Sequence, residues 1–262
     1  MENENLEQFI KKESRLNWGL YATYSSQDKQ SYQDPVSGEK IYEKRNLSYY
    51  TLDGYLAFYL KNMFKVELEA IWQTGDDQSD SFSKFGGIVE TEMAVLSQTL
   101  KFGVDFGFAS GDNSIDPYDK YFDATKYGKQ HKDNLTFNKD YIFDFILFRQ
   151  ITDFTNAYFV KPHVTYSINP SIDLDFATVY SRSLEKAQTF GKSNDLGLEF
   201  DLQIQYLTKD GLNFGVMTGL LFPGAGMDWL GADKKSGGET DDNKDFSAKT
   251  AYSIYGFMIM KF

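Results

Sequence analysis

The sequence predicts an all-β protein, a transmembrane antiparallel β-barrel of about ten strands with long extracellular loops. Three observations support this fold class. Segments of about ten residues alternate apolar and polar side chains, the two-residue period of a strand with one apolar side. Tight turns and long polar loops connect these segments, as in barrels whose turns at one end are short. No run approaches the roughly 18 apolar residues of a membrane-spanning helix.

The composition fits this prediction and excludes several function classes. Among 262 residues are 18 tyrosines and 23 phenylalanines, numbers that fit aromatic girdles at the two membrane interfaces. A net charge of −11 argues against nucleic acid as a partner, and the absence of cysteine excludes disulfides and thiol chemistry. A soluble β-sandwich whose core absorbs the aromatic residues is the alternative, because alternation alone does not distinguish lipid from a protein core.

The alternating pattern divides the chain into a short N-terminal segment and one barrel. Residues 1–14 form a predicted periplasmic segment in which Leu6, Phe9 and Ile10 have the spacing of a short amphipathic helix. The first five residues lack the basic and apolar regions of a signal peptide, so we expect a mature or truncated form. The barrel occupies residues 15–262, and its predicted strands are 16–24, 48–60, 65–72, 87–95, 100–108, 158–167, 172–182, 196–207, 212–222 and 248–262.

The connections between these strands predict which end of the barrel each one occupies. Polar loops are predicted at 25–47, 75–84, 110–139, 184–194 and 223–247, and short turns at 61–64, 97–98, 169–170 and 209–211. The side of the membrane assigned to each connection can be counted from the first strands or back from the last strand. The two counts agree only if residues 140–156 do not cross the membrane. This apolar stretch is therefore predicted to fold into the lumen as a constriction or plug, with Tyr141, Phe143, Asp144, Phe145, Phe148 and Arg149 as its constriction residues. The alternative is an additional wall strand, which breaks the even strand count of most bacterial barrels.

The polar side of the strands is the predicted lumen lining, because charged groups on the lipid side cost kilocalories near the midplane. Its members are Glu67, Glu69, Glu90, Glu92, Lys101, Asp105, Lys161, His163, Asp173, Asp175, Glu199, Asp201, Gln203 and Gln205. This set is mostly acidic. An open lumen with acidic side chains favours cations, whereas a salt-bridged filler network has no transport role. The sequence leaves both readings open.

Signals for an enzyme or a metal site are weak. Counting back through the hairpin at 169–170 places His163 nearly opposite Asp175, a pair that could act as a general base. No nucleophile accompanies the pair, so a cross-strand hydrogen bond is favoured and no catalytic residue is assigned. The acidic stretches 76–80 and 112–119 lack a full calcium-ligand register and are read as solvated turns. No cofactor and no metal are predicted.

The last strand resembles the closing strand of bacterial outer-membrane barrels. Its residues Tyr252 to Phe262 alternate, and the chain ends on the phenylalanine. In those barrels the terminal aromatic residue is part of the assembly signal. The resemblance implies that Phe262 has this role, that the C-terminus is periplasmic and that the barrel assembly machinery is a partner.

Several stretches resemble an uncharacterised family of delta-proteobacterial outer-membrane β-barrel proteins, loosely similar to alginate-export and porin-like barrels. They are LNWGLYATY (16–24), KVELEA (65–70), GFASGD (107–112), DYIFDFILFRQITDFTNAYFVKP (140–162), YSRSL (180–184), LGLEFDL (196–202) and DGLNFGVMTGLLFP (210–223). The resemblance implies the fold and a bacterial outer-membrane location. Its members look longer, with further strands before the equivalent of Leu16, which makes twelve strands the alternative count.

These observations predict a passive, porin-like channel for small solutes such as cations or sugars, with an acidic, loop-constricted lumen. The alternative is a plugged structural or binding barrel that works through its extracellular loops or within a larger outer-membrane complex. A membrane hydrolase using His163 and Asp175 is the third and weakest hypothesis. The expected partners are outer-membrane lipid, lipopolysaccharide, the assembly machinery and other outer-membrane subunits.

Overall fold

Ten β-strands make up the fold seen in the computed structural model. It describes residues 14–33, 40–61, 63–77, 80–96, 99–111, 144–152, 154–186, 189, 191, 193–208, 211–228 and 247–260, with the backbone alone at 28–33, 40–45, 77 and 80. The strands are β1 (Arg15–Gln33), β2 (Lys40–Leu60), β3 (Phe64–Asp77), β4 (Asp80–Val95), β5 (Leu100–Ala109), β6 (Ala157–Asn169), β7 (Ile172–Ser183), β8 (Asp195–Leu207), β9 (Leu212–Pro223) and β10 (Ala251–Met260). A π-helical turn (Leu147–Ile151) and a 3-10 turn (Ala225–Met227) complete the described elements.

Each strand pairs antiparallel with its neighbours in the sequence, so the sheet order is β1 through β10. This up-and-down arrangement confirms the predicted fold class, an antiparallel transmembrane barrel sheet of about ten strands. Within the described residues β1 and β10 are the two edges of the sheet. None of the described helical stretches is long and apolar enough to span a membrane.

The strand register places the apolar side chains on one face. A continuous row crosses nine strands through directly paired residues: Trp18, Leu56, Leu68, Val89, Phe106, Val160, Tyr180, Leu198 and Phe222. Trp18 is 74% exposed and Phe222 45% exposed. Among the described strand side chains, the charged groups on this face are Asp76 and Arg182, which lie near the strand ends away from the short turns. An exposed apolar band of this kind needs hydrocarbon around it, as in a transmembrane barrel.

Two hairpins are longer than the alternation predicted. Residues 25–47 were expected to be a polar loop, yet β1 runs to Gln33 and β2 starts at Lys40. Residues 75–84 were also expected to be a loop, yet β3 runs to Asp77 and β4 starts at Asp80. Alternation requires one apolar side, whereas strand pairing requires only backbone hydrogen bonds. The parts of strands that extend beyond the hydrocarbon therefore lose the alternation of apolar and polar side chains but keep the backbone hydrogen bonds between strands.

The segment between β5 and β6 lies against the inner face of the sheet. Its described part, residues 144–152 and 154–156, is called the inner segment below, and it contains the π-helical turn and no full strand. Its Ile146, Leu147, Phe148 and Phe154 form one buried cluster with residues of β5 to β9. Ile71 of β3 and Ala251 of β10 are partly buried against the same cluster, so the sheet curls around the inner segment. The described residues therefore confirm a loop folded into the lumen and exclude the additional wall strand.

Several sequence predictions fall outside the described residues. These are the N-terminal segment up to residue 13, the constriction residues Tyr141 and Phe143, the possible calcium loop at 112–119 and the terminal Phe262.

Candidate functional site

The register assigns all fourteen predicted lumen residues to the face opposite the apolar row. Direct pairs on this inner face include Glu67 with Glu90, Asp105 with Lys161 and Asp175 with Gln203. Side chains alternate strictly along a strand, so residues that pair directly share a face. The register thus places these residues on one face of the sheet, and their role as a lumen lining stays a prediction.

The inner face is predominantly acidic. Among its described side chains there are ten carboxylates: Asp53, Glu67, Glu69, Glu90, Glu92, Asp105, Asp173, Asp175, Glu199 and Asp201. The cationic side chains are five, namely Arg15, Lys65, Lys84, Lys101 and Lys161. Some charges are paired locally, as in Lys65 with Glu67 at 2.5 Å and Lys101 with Glu92 at 3.3 Å. The carboxylates nevertheless exceed the cations twofold.

His163 pairs with a different carboxylate from the one expected. The strand register places it opposite Ala177, and its Nε2 lies 3.2 Å from Asp105 Oδ1 on β5. Asp175 instead accepts a hydrogen bond of 2.6 Å from the Thr165 hydroxyl. The predicted His163–Asp175 pair was wrong because the β6–β7 turn comprises residues 170–171 and the register shifts again between Ser167 and Asn169, which together place Asp175 opposite Thr165. The hydrolase hypothesis loses the pair on which it depended.

Asp105 is the centre of a small ion-pair network. Lys161 Nζ lies 3.7 Å from its Oδ2, and the backbone N–H of Thr91 donates to its Oδ1 at 3.3 Å. Gly103 is directly opposite His163, and a Cβ there would lie 2.6 Å from the His163 Nε2 atom. A glycine is therefore required at this position for the histidine to reach Asp105.

Two buried carboxylates hold the inner segment in place. Glu199 on β8 accepts hydrogen bonds from the backbone N–H groups of Phe145 at 2.8 Å, Ile146 at 2.7 Å and Leu147 at 2.9 Å. Asp144 accepts from Phe148 at 2.8 Å and Arg149 at 3.1 Å. Glu199 is 0% exposed and Asp144 1% exposed. Charge-assisted bonds to backbone N–H groups are among the stronger hydrogen bonds in proteins, so these contacts fix the turn on the wall.

Asp144 lies outside the membrane-spanning strands and is unusually easy to protonate. Burial, and after it the nearby charge of Glu199, raise the pKa of Asp144 from its ordinary value of 3.8 to about 7. The N–H groups of Phe148 and Arg149 oppose this shift because they stabilise the ionised carboxylate. The inner segment therefore contains a group that titrates near neutral pH.

The far end of the inner segment is fixed by packing and by one asparagine. Phe148, Phe154 and Phe159 form a chain of edge-to-face rings with centroids 5.0 and 5.3 Å apart. The side chain of Asn156 donates to Glu185 O at 2.9 Å and accepts from Glu185 N at 2.8 Å. The segment is thus attached at both ends, to β8 and to the β7–β8 connection.

Beside the inner segment lies a cavity of about 580 Å³, bordered by residues of β5 to β10. Its lining includes Asp105, Phe145, Arg149, Lys161, Asp175 and Phe257. The Arg149 guanidinium lies 4.9 Å from the centre of the Tyr255 ring, and the Tyr255 hydroxyl lies 3.5 Å from Phe145 O. Sequence reasoning missed the contribution of β10, because its inner side, like its outer side, is largely apolar and carries no charge pattern.

The described residues contain no cluster of three His, Cys, Asp or Glu side chains arranged to hold a metal ion. Of the acidic stretch 76–80, Asp76 and Asp77 lie at the end of β3 and Asp80 at the start of β4.

No protein-family model matches the chain, and no curated protein sequence matches it significantly. Among solved structures, it is similar to the NanC porin, with 12% identity and a TM-score of 0.41 over 94% of this chain and 99% of that one. It is also similar to the outer membrane channel DcaP of Acinetobacter baumannii, with 13% identity and a TM-score of 0.42 over 93% of this chain and 72% of that one. At these levels neither similarity identifies a family or a solute for this chain.

Proposed function

We propose that the chain is a passive channel of the bacterial outer membrane for small solutes, with an acidic lumen that the inner segment constricts. One observation carries the proposal. The same register that gives the sheet a continuous apolar outer row gives it an inner face with ten carboxylates and five cations. Soluble proteins rarely expose an apolar band of this size to water. An excess of like charges is costly to bury in a solidly packed barrel core.

The charge excess favours cations over anions. Acidic side chains around a narrow passage raise the local concentration of cations and lower that of anions. Some carboxylates are neutralised in pairs, such as Glu92 by Lys101, and Glu199 is occupied by the inner segment. Glu69 and Glu90 lie near each other on the adjacent strands β3 and β4, so their charges act at one place, and we expect this pair to contribute most to selectivity.

The inner segment sets the width of the passage. Its buried cluster lies against β5 to β9, and its Arg149 reaches across to Tyr255 on β10. A solute must therefore pass between this segment and the uncovered part of the inner face. Such an arrangement limits passage to small molecules.

Conductance of the purified protein in planar bilayers tests the proposal. We expect steady ohmic steps and a reversal potential of cation-selective sign in a potassium chloride gradient. The double variant Glu69→Gln/Glu90→Gln should move the reversal potential towards zero. Glu185→Gln, which removes a carboxylate from the β7–β8 connection, is the matched control and should leave it unchanged. Anion selectivity, or silence in a correctly folded sample, would contradict the proposal.

The buried anchoring of the inner segment also favours a second candidate, a plugged barrel with a structural or binding role. The two candidates separate when the inner segment is loosened. A barrel that stays silent both as the native chain and as Glu199→Gln is plugged by more than this segment and is not a channel.

The remaining assignments belong to the same proposal. A barrel with this outer face has outer-membrane lipid and lipopolysaccharide as its surroundings, and the terminal Phe262 is the proposed signal for the assembly machinery. Residues 1–14 are the proposed periplasmic segment.

A further inference from the structure

We infer that the cavity beside the inner segment binds a small zwitterion, a solute that carries both a carboxylate and a protonated amine in the manner of an α-amino acid. This inference rests on the proposed function, because a solute site inside the lumen serves a channel. It adds the chemical class of the solute.

The cavity lining offers a guanidinium without an anion. The Arg149 side chain is exposed, and the described contacts of its guanidinium are the ring of Tyr255 at 4.9 Å and Met217 Sδ at 3.5 Å from Nη1. No described carboxylate forms an ion pair with it, although the inner face has an excess of carboxylates. A guanidinium is a planar fork of donors that matches a carboxylate. A ligand carboxylate supplies the partner that this arginine lacks.

The Asp105 network does not compete for such a ligand. Lys161 and His163 both contact Asp105, and the side chains of the two basic residues are about one-fifth exposed. The positive charge of Lys161 is therefore balanced by a carboxylate on the neighbouring strand. Arg149 is left as the cation of the cavity that has no anionic partner within the described residues.

The cavity lining also offers acceptors. Asp175 receives one hydrogen bond of 2.6 Å from the Thr165 hydroxyl, which leaves acceptor positions open on a carboxylate that lines the cavity. The Gln203 and Gln205 side chains, which line the same cavity, are linked by a long contact of 3.5 Å. A protonated amine is the donor that suits these acceptors.

The lining also includes an apolar surface formed by Phe145, Met217, Phe257 and Ile259. The volume of about 580 Å³ falls in the range of small-molecule pockets, roughly 300–1,000 Å³. A bound inorganic ion would not cover this apolar surface. A bound neutral sugar would not supply an anion for Arg149. A short amino acid satisfies the guanidinium, the carboxylate and the apolar surface together.

Binding to the purified full chain in detergent micelles tests the inference, with L-alanine, propionate, ethylamine and glucose as probes in titration calorimetry. Propionate lacks the amine of L-alanine, and ethylamine lacks its carboxylate. We expect L-alanine to bind at least tenfold more tightly than either. Arg149→Gln and Asp175→Asn should each weaken L-alanine binding tenfold or more, whereas Lys249→Gln, which removes an exposed cation outside the cavity, should not. Thermal unfolding of each variant shows whether it is folded.

Four results would overturn the inference: no L-alanine binding by the folded protein, or binding as tight as that of L-alanine by ethylamine, by propionate or by glucose. The first shows that the cavity has no such site, the second a cation site, the third an anion site and the fourth a polyol site. Because the measurement needs no current, it separates the two proposals. A silent barrel that binds L-alanine refutes only the channel, and a conducting barrel that does not bind it refutes only the zwitterion site.

Discussion

Asp144 and Glu199 divide the backbone of one helical turn between them: Glu199 accepts the N–H groups of residues 145–147, and Asp144 accepts those of 148 and 149. One carboxylate belongs to the wall and the other to the turn itself. A single substitution at Glu199 therefore removes the hydrogen bonds between the turn and the barrel wall. The hydrogen bonds that Asp144 accepts within the turn do not depend on Glu199.

The first prediction concerns Glu199. Glu199→Gln removes the charge and replaces one acceptor oxygen with a donor that faces three N–H groups. We expect the free energy of unfolding in micelles to fall by about 2–5 kcal/mol and the single-channel conductance to rise as the inner segment leaves the wall. Glu92→Gln removes an inner-face carboxylate that pairs with Lys101, and its conductance should stay near that of the native chain. Equal conductance in all three proteins would show that the segment does not constrict the passage.

The second prediction concerns pH. The pKa of Asp144 in the docked turn is about 7, above the ordinary value of 3.8. A raised carboxyl pKa means that docking favours the protonated form, so the stabilisation is full below about pH 4 and is lost as pH rises through about 7. Glu199 and Lys161 are the other charged groups that act on it. We expect the conductance to be larger at pH 8 than at pH 5.

The control for this pH effect is Asp144→Asn, which is neutral at every pH. Its conductance should vary less between pH 5 and pH 8 than that of the native chain. A native conductance that falls as pH rises would give the opposite sign and contradict the assignment.

The third prediction concerns Asn156, whose backbone has a φ of 49°. Asn156→Ala removes two hydrogen bonds to Glu185 and places a side chain that disfavours this conformation, so stability should fall by about 1–3 kcal/mol. Asn156→Gly loses the same bonds without the strain. Urea unfolding of both variants separates the two causes: equal losses assign the effect to the bonds, and a loss confined to alanine assigns it to the backbone.

The fourth prediction concerns the outer face. Val104 is 48% exposed on β5, among the phenylalanines of the apolar band. Val104→Arg should lower stability in lipid by about 2–4 kcal/mol if this position is near the midplane. Gln203→Arg, on the inner face, should cost less. Unfolding from lipid vesicles measures both, and a smaller loss for the outward position would mean that the two faces have been exchanged.

The fifth prediction concerns the two edge strands. Unpaired backbone groups in hydrocarbon cost several kilocalories each, so we expect β1 and β10 to pair directly in the membrane. The chain has no cysteine of its own. Leu20→Cys combined in turn with Gly256→Cys, Met258→Cys and Met260→Cys should give an intramolecular disulfide in at least one double variant. Cross-linked dimers, or no cross-link in any of them, would place other strands between the two edges.

The sequence was sufficient to predict the strands and their two faces. Alternation at positions such as Leu202, Gln203 and Ile204 reflects a physical requirement, because one side meets hydrocarbon and the other does not. The fold of residues 140–156 out of the wall followed from counting strand directions, although the stretch is among the most apolar in the chain.

Contacts between residues far apart in the chain could not be predicted from the sequence. The partner of His163 depended on a two-residue turn and on which strand follows a long connection, and neither leaves a local pattern. Glu199 looked like any other inner-face carboxylate, because its three backbone donors come from a segment more than fifty residues away. The hairpin ends were missed because water on both sides removes the apolar period.

The β1–β2 hairpin has a consequence for how the barrel meets its surroundings. Its strands of 19 and 21 residues are about twice the roughly 9–11 residues that a tilted crossing needs. In a barrel that spans the membrane, about half of this hairpin is therefore expected to extend beyond the lipid, on the side away from the short turns. A macromolecule that approaches from that side would meet this hairpin before the lumen.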